Sequence, residues 1–345
     1  QPPPPPPPPP PPTSVISGVT FDSDSHRRLA QGSDNWPATW SDDDNQYALW
    51  GDGGGFGGTN ADGRVSLGAA RITGDHDNYQ GINRFGGKNG ECPSMIAGKA
   101  HGAPLSVGGI LYAWIAPDLD AHTYGSFALY RSGDKGCSWN KLDVEFVLAT
   151  EGVTQGSFVQ FGKDNRRARD AYLYSVAVVA TELRTLAIVQ RPGKIMLLRV
   201  PALAIQDRGA YEFFAGLDST GQPKWTSDSL KKVPIYEDPD GVGPFPQISY
   251  VPGLDRLVYT NQHGDGVSDA GFKSLLTMAE APDPWGPWTV FYRDLFEPQI
   301  DHNVFQWSFA PKWFRNGGRD FTLIFSGVGV NDSWNTIDGT FTTTP

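Results

Sequence analysis

The sequence predicts an all-β fold, a five-bladed β-propeller formed by a single domain, and three observations lead to this prediction. The 345 residues include 41 Gly and 29 Pro, about a fifth of the chain. Aromatic residues are also abundant, with 11 Trp, 12 Tyr and 19 Phe. This composition is typical of short strands joined by tight turns and excludes a helical bundle. The third observation is a strand–turn–strand pattern that recurs five times.

Each repeat begins with a small or Pro residue, continues through a short strand and a polar turn, and ends with a stronger strand. The repeats start at residues 37, 103, 157, 246 and 310. In the last one, Ala310–Phe314 is expected to form the inner strand and Phe321–Phe325 its partner. The spacing suits blades of four strands with their loops, whereas the alternative of six or seven blades would need much shorter ones.

The chain opens with an unusual segment, since residues 2–12 are eleven consecutive prolines. Such a run forms a stiff, solvated polyproline II helix that cannot join a core. We therefore expect a polyproline arm over 1–12, acting as a spacer, and a propeller domain over 13–345. A spacer of this kind favours a secreted protein.

Charge and cysteine content narrow the class of protein further. With 28 basic and 38 acidic residues the net charge is −10, which argues against nucleic acid and anionic membranes as partners. No apolar run approaches the ~18 residues of a membrane-spanning helix. Cys92 and Cys137 lie in turn-rich segments, and a pair fits either one disulfide in a secreted protein or two inert buried thiols. We expect the disulfide and a monomer.

Two acidic turns are assigned structural rather than catalytic roles. Residues 132–139 fit S-x-D-x-G-x-x-W, which resembles the Asp-box hairpin turn of propeller blades, so Asp134 is expected to cap main-chain N–H groups. Residues 41–45 are Asp-rich and leave structural calcium open, but they miss the EF-hand spacing, and a solvated turn is expected. No other metal and no cofactor are predicted.

The segments that lead into the inner strands should converge at one mouth of the central channel, which is the default ligand site. They supply a carboxylate, an imidazole, amides and aromatic rings, which suits a sugar. Asp34 enters the first inner strand, and Asp52 leaves the strand antiparallel to it. Two carboxylates at one rim are the equipment of glycoside hydrolysis, although isolated Asp residues of this kind also serve as turn caps.

The stretch Ser33–Gly58 resembles the opening of a family catalogued as a bacterial and fungal domain of unknown function. Further similarity lies in Phe161–Tyr174, Arg199–Gly216, Ala281–Thr289 and Phe325–Thr336. Some members of that family are endo-acting D-arabinanases on a five-bladed propeller. The resemblance implies that Asp34 and Asp52 are the catalytic pair. It also sets His101 apart, because relatives often carry Tyr or a small residue at that position.

Two other functions remain open at this stage. A polysaccharide lyase needs a base such as His and a cationic or amide neutraliser for a uronate carboxylate, and a lectin-like propeller would bind sugar without cleaving it. The catalytic candidates are Asp34, Asp52 and His101. The candidates for binding the polysaccharide substrate are Asn35, Trp36, Arg84, Gln155, Arg169, His263, His302 and Trp307.

Overall fold

The computed structural model describes residues 14–93, 96–117, 124–180, 188–268, 271–296 and 303–344. Their strands form five antiparallel sheets, one for each blade of a β-propeller, which confirms the predicted fold class. Blade 1 contains β2 (Ala38–Trp40), β3 (Gln46–Gly53), β4 (Val65–Thr73) and β5 (Gln80–Phe85). Blade 2 contains β6 (Leu105–Val107), β7 (Ile110–Ile115), β8 (Ser126–Ser132) and β9 (Asn140–Val147).

Blade 3 is the largest, with β10 (Val153–Val159), β11 (Tyr172–Val179), β12 (Gly193–Pro201), β13 (Glu212–Leu217), β14 (Pro223–Thr226) and β15 (Tyr236–Asp238). Blade 4 contains β16 (Gln247–Val251), β17 (Arg256–Gln262), β18 (Leu275–Ala281) and β19 (Thr289–Leu295). Blade 5 contains β20 (Val304–Phe309), β21 (Asp320–Gly327), β22 (Trp334–Thr343) and β1 (Ile16–Leu29). Helix is confined to α1 (Leu148–Glu151) and short 3-10 turns within the described ranges.

The first strand closes the ring. Strand β1 pairs with β22 from Ile16 opposite Thr343 to Leu29 opposite Trp334, so the first and the last of the described strands both belong to blade 5. The buried carboxylate of Glu280, on β18 of blade 4, accepts hydrogen bonds from the main-chain N–H groups of Val15 and Ile16, at 2.6 and 2.9 Å. The closing strand is therefore held by its own sheet and by the neighbouring blade.

The hydrophobic core is divided into five clusters, one at each interface between adjacent blades. Strands in the middle of a blade face two neighbours, and β3 accordingly buries all but one of its residues. The outer strand β9 instead mixes exposed and buried positions. Tight packing between blades is what fixes the loops at the two ends of the channel.

The inner strands begin at residues 38, 105, 153, 247 and 304, close to four of the predicted blade starts. The fifth prediction is wrong, because Ala310–Phe314 forms a turn and the inner strand is Val304–Phe309. Every residue of that strand is buried, so it lacks the alternation that would distinguish it from a lead-in segment. The sequence pattern therefore predicts the inner strand of blade 5 six residues too late in the chain, at 310 instead of 304.

The expected disulfide is present: Cys92 and Cys137 are bonded and link blades 1 and 2, with their Cα atoms 5.4 Å apart. Asp134 also has its expected role, since its Oδ1 accepts the main-chain N–H of Ser138 at 2.9 Å. None of the helices in the described residues has the length and apolar character to cross a bilayer.

The acidic turn at 41–45 is exposed at Asp42, Asp43 and Asp44, as expected for a solvated turn, and two of these carboxylates are ion-paired. Asp42 forms an ion pair with Lys135, and Asp44 lies 2.9 Å from Lys163 and 3.1 Å from Lys312. Lysine side chains from other parts of the chain therefore neutralise the charges of Asp42 and Asp44.

Candidate active site

The direction of the strands assigns each loop to one end of the channel. Inner strands of a propeller run parallel, and a parallel bridge between Gln160 and Ser249 shows this for blades 3 and 4. We call the end where the inner strands begin the upper mouth, and the opposite end the lower mouth. Asp34 precedes β2, and Asp52 lies near the end of the antiparallel strand β3, so both belong to the upper mouth.

A local strand pairing holds these two carboxyl groups in register. Asp34 and Gly51 form an isolated antiparallel bridge, with main-chain hydrogen bonds of 3.0 and 2.9 Å in the two directions. Gly51 has no side chain, and the space that a Cβ would occupy lies 3.1 Å from Asp34 Oδ1. The structure therefore brings the predicted pair together on one hairpin.

Asp34 is partly exposed as a residue, but its Oδ1 is buried, and desolvation of the carboxyl group raises its pKa from 3.8 to about 8. The negative charges of Asp332 and Asp52 raise this pKa further, and the positive charge of Lys99 lowers it. Burial and the two like charges prevail, so Asp34 carries a proton at neutral pH.

Asp52 has a contrasting environment. Its carboxylate forms an ion pair with Lys99, a nearly buried side chain from the lead-in to blade 2, and lies 3.5 Å from the guanidinium of Arg64. The Arg64 side chain also donates a hydrogen bond of 2.8 Å to the main-chain oxygen of Asp52. Asp52 is thus an ion-paired carboxylate beside a protonated acid.

Asp332 is a third carboxyl group at the upper mouth, and sequence reasoning missed it as a functional residue. It lies in the turn between β21 and β22, and its main-chain oxygen accepts the N–H of Gly32 at 2.6 Å. Burial raises its pKa to about 6, an effect opposed by Arg64 and increased by Asp52. The only signal in the sequence was its inclusion in the family resemblance, since no inner strand starts there.

His101 is buried at the upper mouth and interacts with protein groups rather than with open solvent. Its Nδ1 lies 3.2 Å from Oε1 of Gln155, and the Tyr124 hydroxyl lies 3.5 Å from its Nε2. Burial, followed by the charge of Lys99, lowers the pKa of the imidazole to about 3. A neutral ring of such low basicity is poorly suited to abstract a proton from a sugar carbon.

Several buried polar atoms around this mouth have no hydrogen-bond partner among the described residues. They are Asp34 Oδ1, Asn35 Oδ1, Gln155 Nε2 and Asp332 Oδ1. Buried polar atoms are normally satisfied, so a group of orphans at one mouth indicates a place for a hydroxyl-rich ligand. This environment agrees with the predicted binding roles of Asn35 and Gln155.

The expectation that Trp36 and Trp307 stack on a sugar is wrong. Both side chains are completely buried between blades, and Trp36 packs against Trp50 with ring centroids 5.5 Å apart. An aromatic ring at the upper end of blade 4 is Phe272, which is half-buried and lies at a 40° tilt to Phe305, with ring centroids 4.4 Å apart. A strand residue of a propeller points either to the channel or between blades, and the repeat pattern does not reveal which.

The structure also separates the groups that a lyase would need. Arg169 follows β10 at the lower mouth, bound to Asp255 and Asp283, so it cannot neutralise a substrate near Asp34. Arg84 lies on the outer strand β5, bound to the main chain of Lys135. His263 is at the upper end of blade 4, but its Nδ1 faces Thr277 at 3.1 Å. His302 lies outside the described residues.

Comparison with known proteins defines the class of fold to which this site belongs. The chain matches no protein-family model. Among curated proteins, no match was found either. Solved five-bladed propellers are similar over nearly the whole chain, although they are only 10 to 14% identical in sequence.

Three of these structures illustrate the likeness. A GH43_1 enzyme from Xanthomonas citri in complex with xylotriose has 11% identity and a TM-score of 0.51, covering 92% of this chain and 91% of its own. A β-xylosidase has 10% identity and a TM-score of 0.52, covering 93% and 98%. A protein from Bacteroides thetaiotaomicron, provisionally named a glycosidase, has 14% identity and a TM-score of 0.52, covering 95% and 93%. The shared property is the propeller fold.

Proposed function

We propose that this protein is a secreted glycoside hydrolase that cleaves an extracellular polysaccharide at the upper mouth. The observation that carries the proposal is the contrast between Asp34 and Asp52 on one hairpin. Asp34 is a buried, protonated carboxylic acid with a pKa of about 8, whereas Asp52 is a carboxylate paired with Lys99 and Arg64. Two carboxyl groups with opposite protonation states are what hydrolysis of a glycosidic bond requires.

In this reaction Asp34 donates its proton to the glycosidic oxygen as that oxygen leaves the anomeric carbon. Asp52 either attacks the anomeric carbon or takes a proton from the attacking water. Water supplies the hydroxyl group that ends on the anomeric carbon. Its remaining proton replaces the one that Asp34 released to the leaving oxygen. Asn35 and Gln155, with unpaired buried polar atoms, bind sugar hydroxyls.

The finer assignment is an endo-acting D-arabinanase, which the family resemblance of Ser33–Gly58 supports. Structural neighbours named as glycoside hydrolases support the broader class of reaction. No observation favours elimination, since His101 is buried and weakly basic and Arg169 lies at the lower mouth.

The test is product analysis by mass spectrometry after incubation with a panel of polysaccharides that includes D-arabinan. We expect oligosaccharides that have gained one water per cleavage. Products that carry an unsaturated uronate, with its near-ultraviolet absorbance, would replace the hydrolase with a lyase. Binding to a polysaccharide without cleavage of any member of the panel would favour a lectin.

A further inference from the structure

The lower mouth contains a cavity of about 440 Å³, at the end of the channel opposite Asp34 and Asp52. Its walls come from the turns that follow the inner strands of blades 3, 4 and 5, and from Trp40 at the end of β2. The turn at Pro252–Gly253 packs so closely on Gly317 that a Cβ on Gly253 could not fit. The cavity is therefore framed by rigid connections between packed blades.

The lining of this cavity shares no residue with the groups described at the upper mouth. The side chain of Gln160, which follows β10 of blade 3, connects to the main chain of Trp40 in blade 1 through two hydrogen bonds. The Trp40 N–H donates to Gln160 Oε1 at 2.8 Å, and Gln160 Nε2 donates to the Trp40 oxygen at 2.6 Å. A molecule bound at the lower mouth would thus occupy a site separate from the one proposed for cleavage.

Cations line the cavity and no carboxylate does. The positive side chains are Lys163, Arg166, Arg167, Lys312 and Arg315. This concentration is unexpected in a chain of net charge −10. Clustered cations of this kind repel one another, and they are compensated when an anion binds between them.

Three carboxylates just outside the cavity compensate these charges only in part. Asp338 lies 3.3 Å from Arg315. Asp44 is shared, at 2.9 Å from Lys163 and 3.1 Å from Lys312. Arg166 is mostly exposed and lies 3.6 Å from Asp164, a loose pair. Within the described part of the chain, Arg167 makes no ion pair. Two or more positive charges therefore remain available to a ligand.

An aromatic ring beside these cations indicates what carries the anion. The edge of the Trp40 indole is fixed by a hydrogen bond of 3.1 Å from Nε1 to Asp44, and one face of its ring lies near Lys163. Phe314 lies on the same wall and is partly exposed. A fixed, accessible indole next to guanidinium and ammonium groups suits a sugar ring that carries a negative group.

We propose that the lower mouth binds an anionic saccharide, a sugar that bears a carboxylate or a phosphate, independently of the upper mouth. Arg166 and Arg167 bind the anion together with Lys163 and Lys312, and the sugar ring packs on Trp40. Nucleic acid usually binds along an extended basic stripe, whereas these cations line a confined cavity. The shape of the site therefore disfavours nucleic acid as the ligand.

The test is calorimetric titration of the intact protein with trigalacturonate, glucose 6-phosphate and the neutral trisaccharide xylotriose. The double variant Arg166→Gln/Arg167→Gln is compared with the control Lys194→Gln/Lys224→Gln, which changes the net charge equally on exposed positions of blade 3. We expect the two anionic ligands to bind the double variant about tenfold or more weakly and the control normally. Raising the salt concentration should weaken the binding to wild type.

A third variant tests the contact with the sugar ring separately from the contacts with the anionic group. Trp40→Ala should weaken the binding of glucose 6-phosphate and trigalacturonate more than that of inorganic phosphate, because the sugar loses its ring contact while Arg166, Arg167 and Lys312 still bind the anion. The proposal is overturned if the Arg variant binds the anionic ligands as wild type does, or if the control loses as much affinity. Loss of trigalacturonate binding in Asp52→Asn would place the ligand at the upper mouth, and tighter binding of a short RNA would assign a different ligand.

Discussion

The carboxyl group of Asp34 interacts electrostatically with that of Asp332, and after desolvation the charge of Asp332 has the largest effect on the pKa of Asp34. The two residues are about 300 positions apart in the chain and meet because β1 closes the ring between blades 5 and 1. A third charged residue, Lys99 from blade 2, pairs with Asp52 on the other side. The acidity of the candidate site is therefore set by three blades together.

The first prediction concerns the two carboxyl groups of the hairpin. Asp34→Asn removes the proton donor, and Asp52→Asn removes the base or nucleophile. Each should reduce kcat/KM by roughly 10³-fold, as expected for groups that take part in acid–base catalysis. Cleavage of the active polysaccharide by purified variants measures this. His101→Ala is the comparison and should retain at least about a tenth of the activity; the reverse pattern would contradict the hydrolase.

The second prediction follows from the pKa of Asp34. Its folded-state pKa of about 8 lies above the ordinary value of 3.8, so the folded protein holds the proton throughout that interval. A general acid must be protonated, and kcat/KM should therefore fall as the pH rises above about 8. The folded state also loses stability relative to the unfolded state as the pH rises from 3.8 to about 8, because the unfolded chain releases the proton first.

Thermal unfolding at several pH values checks the second half of this prediction. The melting temperature of Asp34→Asn, relative to wild type, should increase between about pH 5 and pH 8, since the Asn variant has no buried acid to ionise. A constant difference over this range would mean that the pKa of Asp34 is not raised.

The blades and the placement of Asp34 and Asp52 on one hairpin could be predicted because their signals are local. A strand, a polar turn and a second strand recur within about 15 residues, and Asp34 and Asp52 flank one such unit. The pair of cysteines also lies in neighbouring turns. These features depend on short segments whose pattern survives in a single sequence.

The parts that could not be predicted depend on distant contacts. Strand β1 is mostly polar and half-exposed, so it shows no alternation, and its partner β22 is about 300 residues away. Asp332 reaches the site only through that closure. Trp36 and Trp307 are buried because of the direction in which each side chain points. The polarity of the neighbouring residues in the sequence does not determine that direction.

The third prediction concerns the closure of the ring. Glu280 is buried and accepts hydrogen bonds from Val15, Ile16 and the Ser14 hydroxyl, with Arg256 at 3.5 Å. Glu280→Ala leaves two main-chain donors and a cation without their acceptor, and should reduce the free energy of unfolding by about 3 kcal/mol. Glu237→Ala, an exposed control, should change it by less than about 0.5 kcal/mol. Denaturant titration measures both free energies. Equal effects of the two substitutions would mean that the hydrogen bonds to Glu280 do not stabilise the ring closure.

The fourth prediction concerns the link between blades 1 and 2. Cys92 and Cys137 enclose 45 positions, and loop-closure entropy gives about 4 kcal/mol of stabilisation for a loop of this length. The double variant Cys92→Ser/Cys137→Ser should lose about that amount of unfolding free energy. Thiol titration of the unfolded, unreduced protein should detect no free thiol. Two reactive thiols would contradict the disulfide.

The last prediction separates a tuning role of Asp332 from a catalytic one. The negative charge of Asp332 helps to keep the proton on Asp34, and its own pKa of about 6 means that it is mostly charged at neutral pH. Asp332→Asn preserves the shape of the side chain and removes the charge. The alkaline limb of kcat/KM should then move to lower pH, by about one unit for a partly buried neighbouring charge. Activity near pH 5, where wild-type Asp332 is largely protonated, should change little.

Asp283→Asn, which also removes a carboxyl group with a raised pKa but at the lower mouth, should leave the limb in place. An unmoved limb in Asp332→Asn would show that Asp332 does not tune Asp34, and a loss of activity at every pH would make Asp332 itself a catalytic residue.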